Sequence, residues 1–243
     1  MPRPTYSMEL VSKEQLAPAT IGLTFQVTNP PAFEAGQFVS IHFTFEGEEL
    51  KRSYSIASSP EQLTEDGTLE IAVGLVADGK ASQFFEQAEV GQTVEMSGPF
   101  GVLTLPEQLP SRLILVGTGT GVAPYRAMQP QLEALAQQGQ NIHILMGART
   151  RNDLFYQADF QQMADLQTVT YEACLSREDS VDKQAGEYAG YVQKRLSELP
   201  LTPGNDLIFL CGNPNMIDDC VTQLTEAGFG PRQVKREKYT FSR

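Results

Sequence analysis

Apolar and polar positions alternate over short stretches in the first part of the chain, the spacing of strands with one buried face. Ile21, Leu23, Phe25 and Val27 interleave with Gly22, Thr24 and Gln26. Further segments follow at Phe38 to Phe43, Ser53 to Ile56 and Leu69 to Val73, separated by turn-forming Asn29-Pro30-Pro31, Glu46-Gly47 and Asp66-Gly67. This pattern predicts a small closed antiparallel barrel. One helix is expected to interrupt it, starting near Ala81 after Asp78-Gly79-Lys80 and running through Phe84-Phe85 towards Gly91. After Leu105-Pro106 the rhythm changes. Leu113 to Val116 is an unbroken apolar run, as expected of a parallel strand buried on both faces, and similar runs lie at Ile142 to Met146, Val169 to Tyr171 and Leu207 to Leu210. Helical stretches such as Met128 to Gln138 and Tyr191 to Leu199 stand between them. Strand alternating with helix predicts an α/β doubly wound parallel-sheet domain over 109–243, preceded by a β-barrel domain over 1–108.

A chain of 243 residues with 41% hydrophobic content can bury two modest cores. It contains no run of about 20 apolar residues, the length a membrane span needs. Its polar start is unlike a signal peptide, so a cytoplasmic protein is expected. Cys174, Cys211 and Cys220 are too few for a four-thiolate cluster. The net charge of −12 argues against nucleic acid or anionic lipid as the main ligand. The imbalance is uneven: residues 1–108 carry five Lys/Arg against fifteen Asp/Glu, and residues 109–243 carry thirteen against fifteen. Such an acidic first half serves solubility, or faces a partner that is not strongly acidic.

Directly after the first parallel strand stands Gly117-Thr118-Gly119-Thr120-Gly121-Val122-Ala123-Pro124. Glycines there let the backbone turn sharply and approach a pyrophosphate, and Pro124 suits the first turn of a following helix. A tight structural turn would use the same residues, but the position after an apolar strand favours a dinucleotide. An NAD-selective domain commonly places an acid on the adenosine ribose about 20 residues on. Here the second strand ends in Gly147-Ala148-Arg149-Thr150-Arg151, and Ser176-Arg177 follows the third. Arg149, Arg151 and the Ser176-Arg177 pair could hold a 2′-phosphate, so NADP(H) is expected ahead of NAD(H).

The segment Arg52-Ser53-Tyr54-Ser55 matches the R-x-Y-S flavin motif, and with it the chain resembles the ferredoxin-NADP reductase superfamily. Gly79-Lys80-Ala81-Ser82, Gly98-Pro99-Phe100-Gly101, the Gly117 to Pro124 turn, Leu175-Ser176-Arg177-Glu178 and Cys211-Gly212-Asn213-Pro214-Asn215-Met216 follow in the family's order. The resemblance implies a Greek-key barrel that binds FAD and an α/β domain that binds NAD(P). Arg52 would pair with the FAD pyrophosphate, Tyr54 would stack on the isoalloxazine, and Ser55 would hydrogen-bond N5. Lys80, Ala81 and Ser82 would meet the second phosphate at the start of the barrel's helix.

Cys211 and Gly212 would approach the nicotinamide with Met216 nearby, and Tyr191 would join the adenosine site. Tyr239 and Phe241 would offer rings to the flavin or its adenine. Tyr54, Ser55 and Cys211 are thus the candidate catalytic positions, whereas His42 and His143 sit within strands and receive no role. One departure weakens the NADP expectation: Ala189 stands where plant-type members carry a lysine. The implied activity is hydride transfer from NAD(P)H to FAD, then single electrons to a separate carrier such as ferredoxin, flavodoxin or an oxygenase component. A free-flavin or ferric-siderophore reductase, or a redox-sensing subunit without turnover, are the alternatives.

Overall fold

The computed structural model describes residues 4–239. The described chain divides into two compact units, one running to Thr104 and including Ala123–Met128, the other comprising Leu105–Val122 and 129–239.

The first unit contains β1 (Thr5–Ala17), β2 (Thr20–Val27), β3 (Phe38–Phe45), β4 (Glu48–Ser55), α1 (Pro60–Asp66), β5 (Thr68–Gly74), α2 (Lys80–Gln87) and β6 (Thr93–Phe100). These strands form one antiparallel sheet in the order β4-β3-β6-β1-β2-β5. An antiparallel bridge between Ile56 and Ile71, and an Ala57 N–H donated to Glu70 O at 2.8 Å, join its two edges. Closure removes the free edges on which strands from other molecules could add. The inward positions of β2 are those the alternation marked, and Ile21, Leu23, Phe25 and Val27 are all buried with Met8 and Leu10 of β1.

Two strands lay outside the sequence pattern. In β1 a run of exposed polar residues from Ser12 to Gln15 interrupts the alternation, and β6 has only Val94 and Met96 as buried apolar positions. The sequence reading of a single helix also needs correction. Ser59 accepts the Gln62 N–H, Pro60 opens α1, and Gly67 ends it in the left-handed conformation at φ 69°, so the Asp66-Gly67 pair is a helix terminus. Helix α2 stops at Gln87, short of Gly91.

The remaining elements are β7 (Arg112–Thr118), α3 (Ala123–Ala127), α4 (Gln129–Gln137), β8 (Asn141–Ala148), α5 (Gln157–Met163), β9 (Val169–Leu175), β10 (Glu187–Ala189), α6 (Val192–Glu198), β11 (Asp206–Gly212), α7 (Pro214–Glu226) and β12 (Val234–Lys238). The sheet is parallel throughout, in the order β10-β9-β8-β7-β11-β12, so short edge strands β10 and β12 extend the four that were expected. Leu113 to Val116 are fully buried, as a strand covered on both faces must be. Helix α3 groups with the barrel unit, where Arg126 reaches Glu70 at 2.8 Å and Ala57 O at 3.1 Å.

Candidate functional site

On β4 the pleat puts Leu50, Arg52 and Tyr54 on one face and Ser53 and Ser55 on the other. Leu50 is buried in the barrel core, whereas Arg52 and Tyr54 are only half-buried. Phe85 of α2 meets the Tyr54 ring edge-on, with centroids 5.5 Å apart and planes at 88°. That contact fixes the orientation of a flat face. Burial pushes the Tyr54 hydroxyl well above its ordinary range, against the opposing pull of Arg52, so it stays protonated. Arg52 donates to Lys51 O at 2.9 Å and has no carboxylate partner among the described residues. Ser55 is buried.

The start of α2 is capped by Gly79, which supplies no side-chain acceptor, so the first-turn amides of Lys80 and Ala81 lack one there. The Lys80 ammonium is held by Glu48, and the Ser82 hydroxyl accepts the Val76 N–H at 2.8 Å. A half-exposed aromatic face beside a guanidinium free of carboxylates, with uncapped helix amides in the same unit, fits a flavin dinucleotide's ring and two phosphates. Among the described residues no cluster of His, Cys, Asp and Glu could hold a metal.

In the second unit the strand order reverses beside β7, whose neighbours are β8 and β11. Ligands of such sheets collect in the crevice outside the carboxyl ends of the strands at that reversal. The glycine turn and Cys211-Gly212 both sit there. A Cβ on Gly121 would lie 2.2 Å from Cys211 O, and one on Gly212, at φ 121°, would lie 2.5 Å from Thr118 O. Glycine at both positions is therefore a packing requirement. Thr118 Oγ1 accepts the Asn213 N–H at 3.1 Å, and Asn213 caps α7 by accepting from Asn215 and Met216. Asn213 carries the Asn-Pro signature of a helix start, and its place in joining the turn to α7 went unread in the sequence. Gly119, with φ 54°, has nothing within 4 Å of where its Cβ would be. Gly117 is buried, and Thr120 and Pro124 follow in the turn and in α3.

Cys211 is the penultimate residue of β11 and is fully buried. Burial and then the charge of Glu237 push its thiol far up, against a hydrogen bond from the Tyr239 side chain, so a thiolate role is closed to it. Tyr239 donates its hydroxyl to Thr120 O at 2.9 Å and its N–H to Gly212 O at 3.0 Å, which places it across the turn. Phe241 lies outside the described residues. Met216 packs in the core against Cys220.

At the carboxyl ends of β8 and β9 the Arg177 N–H donates to Arg149 O at 2.8 Å, so these arginines are neighbours, and both are exposed. Their side chains make no hydrogen bond or ion pair with the described residues. Ser176 and the 65% exposed Tyr191 adjoin them, since Ser176 N–H bonds Ala148 O and Gly190 N–H bonds Leu175 O. Arg151 differs, being tied to Glu187 at 2.6 Å and to Glu178 at 3.4 Å. His42 bonds Ser97 and His143 faces Glu172, so both histidines have partners within the strands' own packing.

Residues 7–105 match the oxidoreductase FAD-binding domain and residues 115–222 the oxidoreductase NAD-binding domain. A ferredoxin--NADP reductase B of Sorangium cellulosum is 33% identical over 96% of this chain and 97% of its own length. The chain belongs to the ferredoxin-NADP reductase superfamily. It is an oxidoreductase of that superfamily, with an FAD-binding barrel and an NAD(P)-binding α/β unit. Within the superfamily, the electron transfer component of a toluate 1,2-dioxygenase from Pseudomonas putida is 30% identical over 98% of this chain and 68% of that protein. A cytochrome P450 reductase structure from Amycolatopsis superposes with TM-score 0.85 at 26% identity, covering 99% of this chain and 71% of that one. A ferredoxin NADP+ reductase structure from Neisseria gonorrhoeae shares the fold with TM-score 0.84 at 21% identity, covering 96% and 98%. No described helix is long and apolar enough to cross a membrane.

Proposed function

We propose that this reductase takes hydride from NADPH in preference to NADH and delivers single electrons to a separate protein in the cytoplasm. The acceptor classes are a ferredoxin or an oxygenase component, as the names of its relatives indicate, and a flavodoxin as a further one-electron carrier. FAD, when bound, supplies the conversion of a two-electron donor into a source of single electrons. The chain's own residues bind and orient. Arg52 would hold the pyrophosphate, Tyr54 would present its flat face to the ring, and Ser55 would serve the ring's N5. The first-turn amides of α2, with Lys80, Ala81 and Ser82, would receive the second phosphate.

In the second unit the turn from Gly117 to Gly121 would admit the nucleotide's pyrophosphate. Arg149, Ser176, Arg177 and Tyr191 would hold the adenosine 2′-phosphate despite Ala189. Cys211 would form an inert, dry floor for the nicotinamide. Tyr239 stands across that floor, so nicotinamide docking requires its ring to swing aside. The observation that carries the NADP reading is the pair of exposed arginines left without carboxylates, while Arg151 is neutralised.

Purified protein should show an oxidised-flavin spectrum that bleaches anaerobically, with kcat/KM higher for NADPH than for NADH. Arg177→Ala should lower the NADPH value by about tenfold to a hundredfold, the size of a lost charge-assisted hydrogen bond, and leave the NADH value unchanged. An NADH preference unmoved by the substitution overturns the NADP assignment, and efficient reduction of free flavin without any protein acceptor favours the flavin-reductase alternative.

A further inference from the structure

The barrel unit carries an open groove of about 290 Å³ that the flavin assignment does not use, lined by Pro30, Pro31, Ala32, Phe33, Pro60, Leu63 and Thr64. One wall is the loop between β2 and β3 and the other is α1. Both walls are tied to the end of the flavin strand. The Ile56 N–H donates to Gln37 O at 3.1 Å, the Gln37 side chain in turn accepts the Glu34 N–H at 2.8 Å, and Ser59 caps α1 four residues after Ser55. Pockets that enclose a small molecule run to about 300–1,000 Å³, so this one suits one or two apolar side chains better than a further cofactor.

The charged residues next to its lining in the chain are acidic. Glu34 follows Phe33, Glu61 follows Pro60, Glu65 follows Thr64, and all three are exposed, as is Asp66. The stretches 28–50 and 53–79, from which both walls come, contain nine Asp/Glu and no Lys or Arg. Of these, Glu70 is buried against Arg126, and Glu48 is paired with Lys80. Glu34, Glu61, Glu65 and Asp66 form no ion pair among the described residues. Apolar anchors in a pocket ringed by like charges form the usual division of labour in protein recognition, where the anchor supplies affinity and the rim supplies steering and selection.

We infer that the electron acceptor of this reductase is a protein with a basic docking face, which seats an apolar side chain in the groove between the Pro30–Phe33 loop and α1. The inference rests on the reductase reading and adds the partner's charge to it. An acidic one-electron carrier meets like charge at this face, which slows encounter.

The test uses the FAD-loaded full chain with three acceptors: mammalian cytochrome c as the basic protein, a plant-type ferredoxin as the acidic one, and menadione as a neutral small molecule. For the wild type, kcat/KM with cytochrome c should exceed that with ferredoxin and fall at least tenfold between 20 and 500 mM NaCl, the behaviour of steered encounter over roughly 10–1,000-fold rate gains. The triple variant Glu34→Lys, Glu61→Lys, Glu65→Lys should lose about tenfold with cytochrome c and gain with ferredoxin. Ala32→Trp, which plugs the groove from an exposed position, should lower the cytochrome c value and retain its salt dependence. Menadione reduction and anaerobic bleaching by the nucleotide should be unchanged in every variant. Cytochrome c reduction that is insensitive to salt and to both substitutions, with menadione activity intact, overturns the basic-partner inference alone. Absence of bleaching and of menadione activity in the wild type overturns the reductase reading beneath it.

Discussion

The two units treat polar side chains in opposite ways. In the parallel unit, the buried carboxylates of the sheet are paired: Glu172 takes two guanidinium nitrogens of Arg195 at 2.7 Å and faces His143 at 3.2 Å, and Asp206 takes Arg112 at 2.7 Å. In the barrel, β4 leaves Arg52 and Tyr54 half-buried, with no carboxylate on the arginine. A strand covered on both faces has no water to satisfy a charge, so any charge it carries must bring its own partner. Arg52 and Tyr54 share a face with the core residue Leu50 but stay half-buried towards the end of β4, where a ligand could still reach them. The candidate site residues of the parallel unit accordingly gather at the carboxyl ends of the strands, whereas in the barrel they follow β4.

This contrast predicts that polar substitutions will unfold the parallel unit but only empty the barrel. The largest effect is expected for Arg195→Met, which leaves Glu172 with His143 alone and should cost about 3–5 kcal/mol in denaturant unfolding. A pH series sharpens the point. Burial alone pushes the Glu172 carboxyl upward, but the hydrogen bonds from Arg195 and the nearness of His143 outweigh it and hold the group at about 2 against an ordinary 4.5. Its folded-state pKa is depressed, so its contribution is complete above about pH 4.5 and is lost as pH falls towards 2. Wild-type stability should decline over that window, and Arg195→Met should flatten the decline.

Next in size is Gly121→Ala, whose added carbon meets the Cys211 backbone at 2.2 Å. It should destabilise by about 1–3 kcal/mol and weaken nucleotide binding, while flavin content is retained. Tyr54→Ala should raise the FAD dissociation constant about tenfold, equivalent to about 1.4 kcal/mol, with unfolding changed less than by Arg195→Met. If it unfolds the chain instead, the tyrosine is a core residue and the contrast between the units fails. The smallest effect is expected for Tyr239→Ser. Removal of the ring across the turn should tighten nucleotide binding severalfold, and unchanged titration curves would show that the ring does not compete.

Most of the strands and the glycine turn were legible because they depend on local chemistry. Two-residue alternation follows from the pleat, an unbroken apolar run follows from burial on both faces, and Gly119 needs its left-handed φ of 54° whatever surrounds it. β1 escaped because polar residues from Ser12 to Gln15 interrupt its alternation, β6 because only Val94 and Met96 mark its buried face, and α1 because Ser-Pro and Asp-Gly read equally well as turns. The motifs R-x-Y-S and Cys-Gly likewise marked β4 and β11 before either strand was placed.

By itself, then, the sequence determined the fold class, the family and the segments proposed to carry chemistry, since each depends on residue types within a few positions of one another. Only the tertiary structure decided which of those residues are available. Arg149, Arg151 and Arg177 look alike along the chain, but Glu187, 36 residues from Arg151, claims that one and leaves the other two exposed. Tyr239 reaches Thr120, 119 residues away, and a proline loop and a short helix meet to make a groove. Availability depends on which groups already have partners, and those partners are brought together by the fold across distances that no local pattern records.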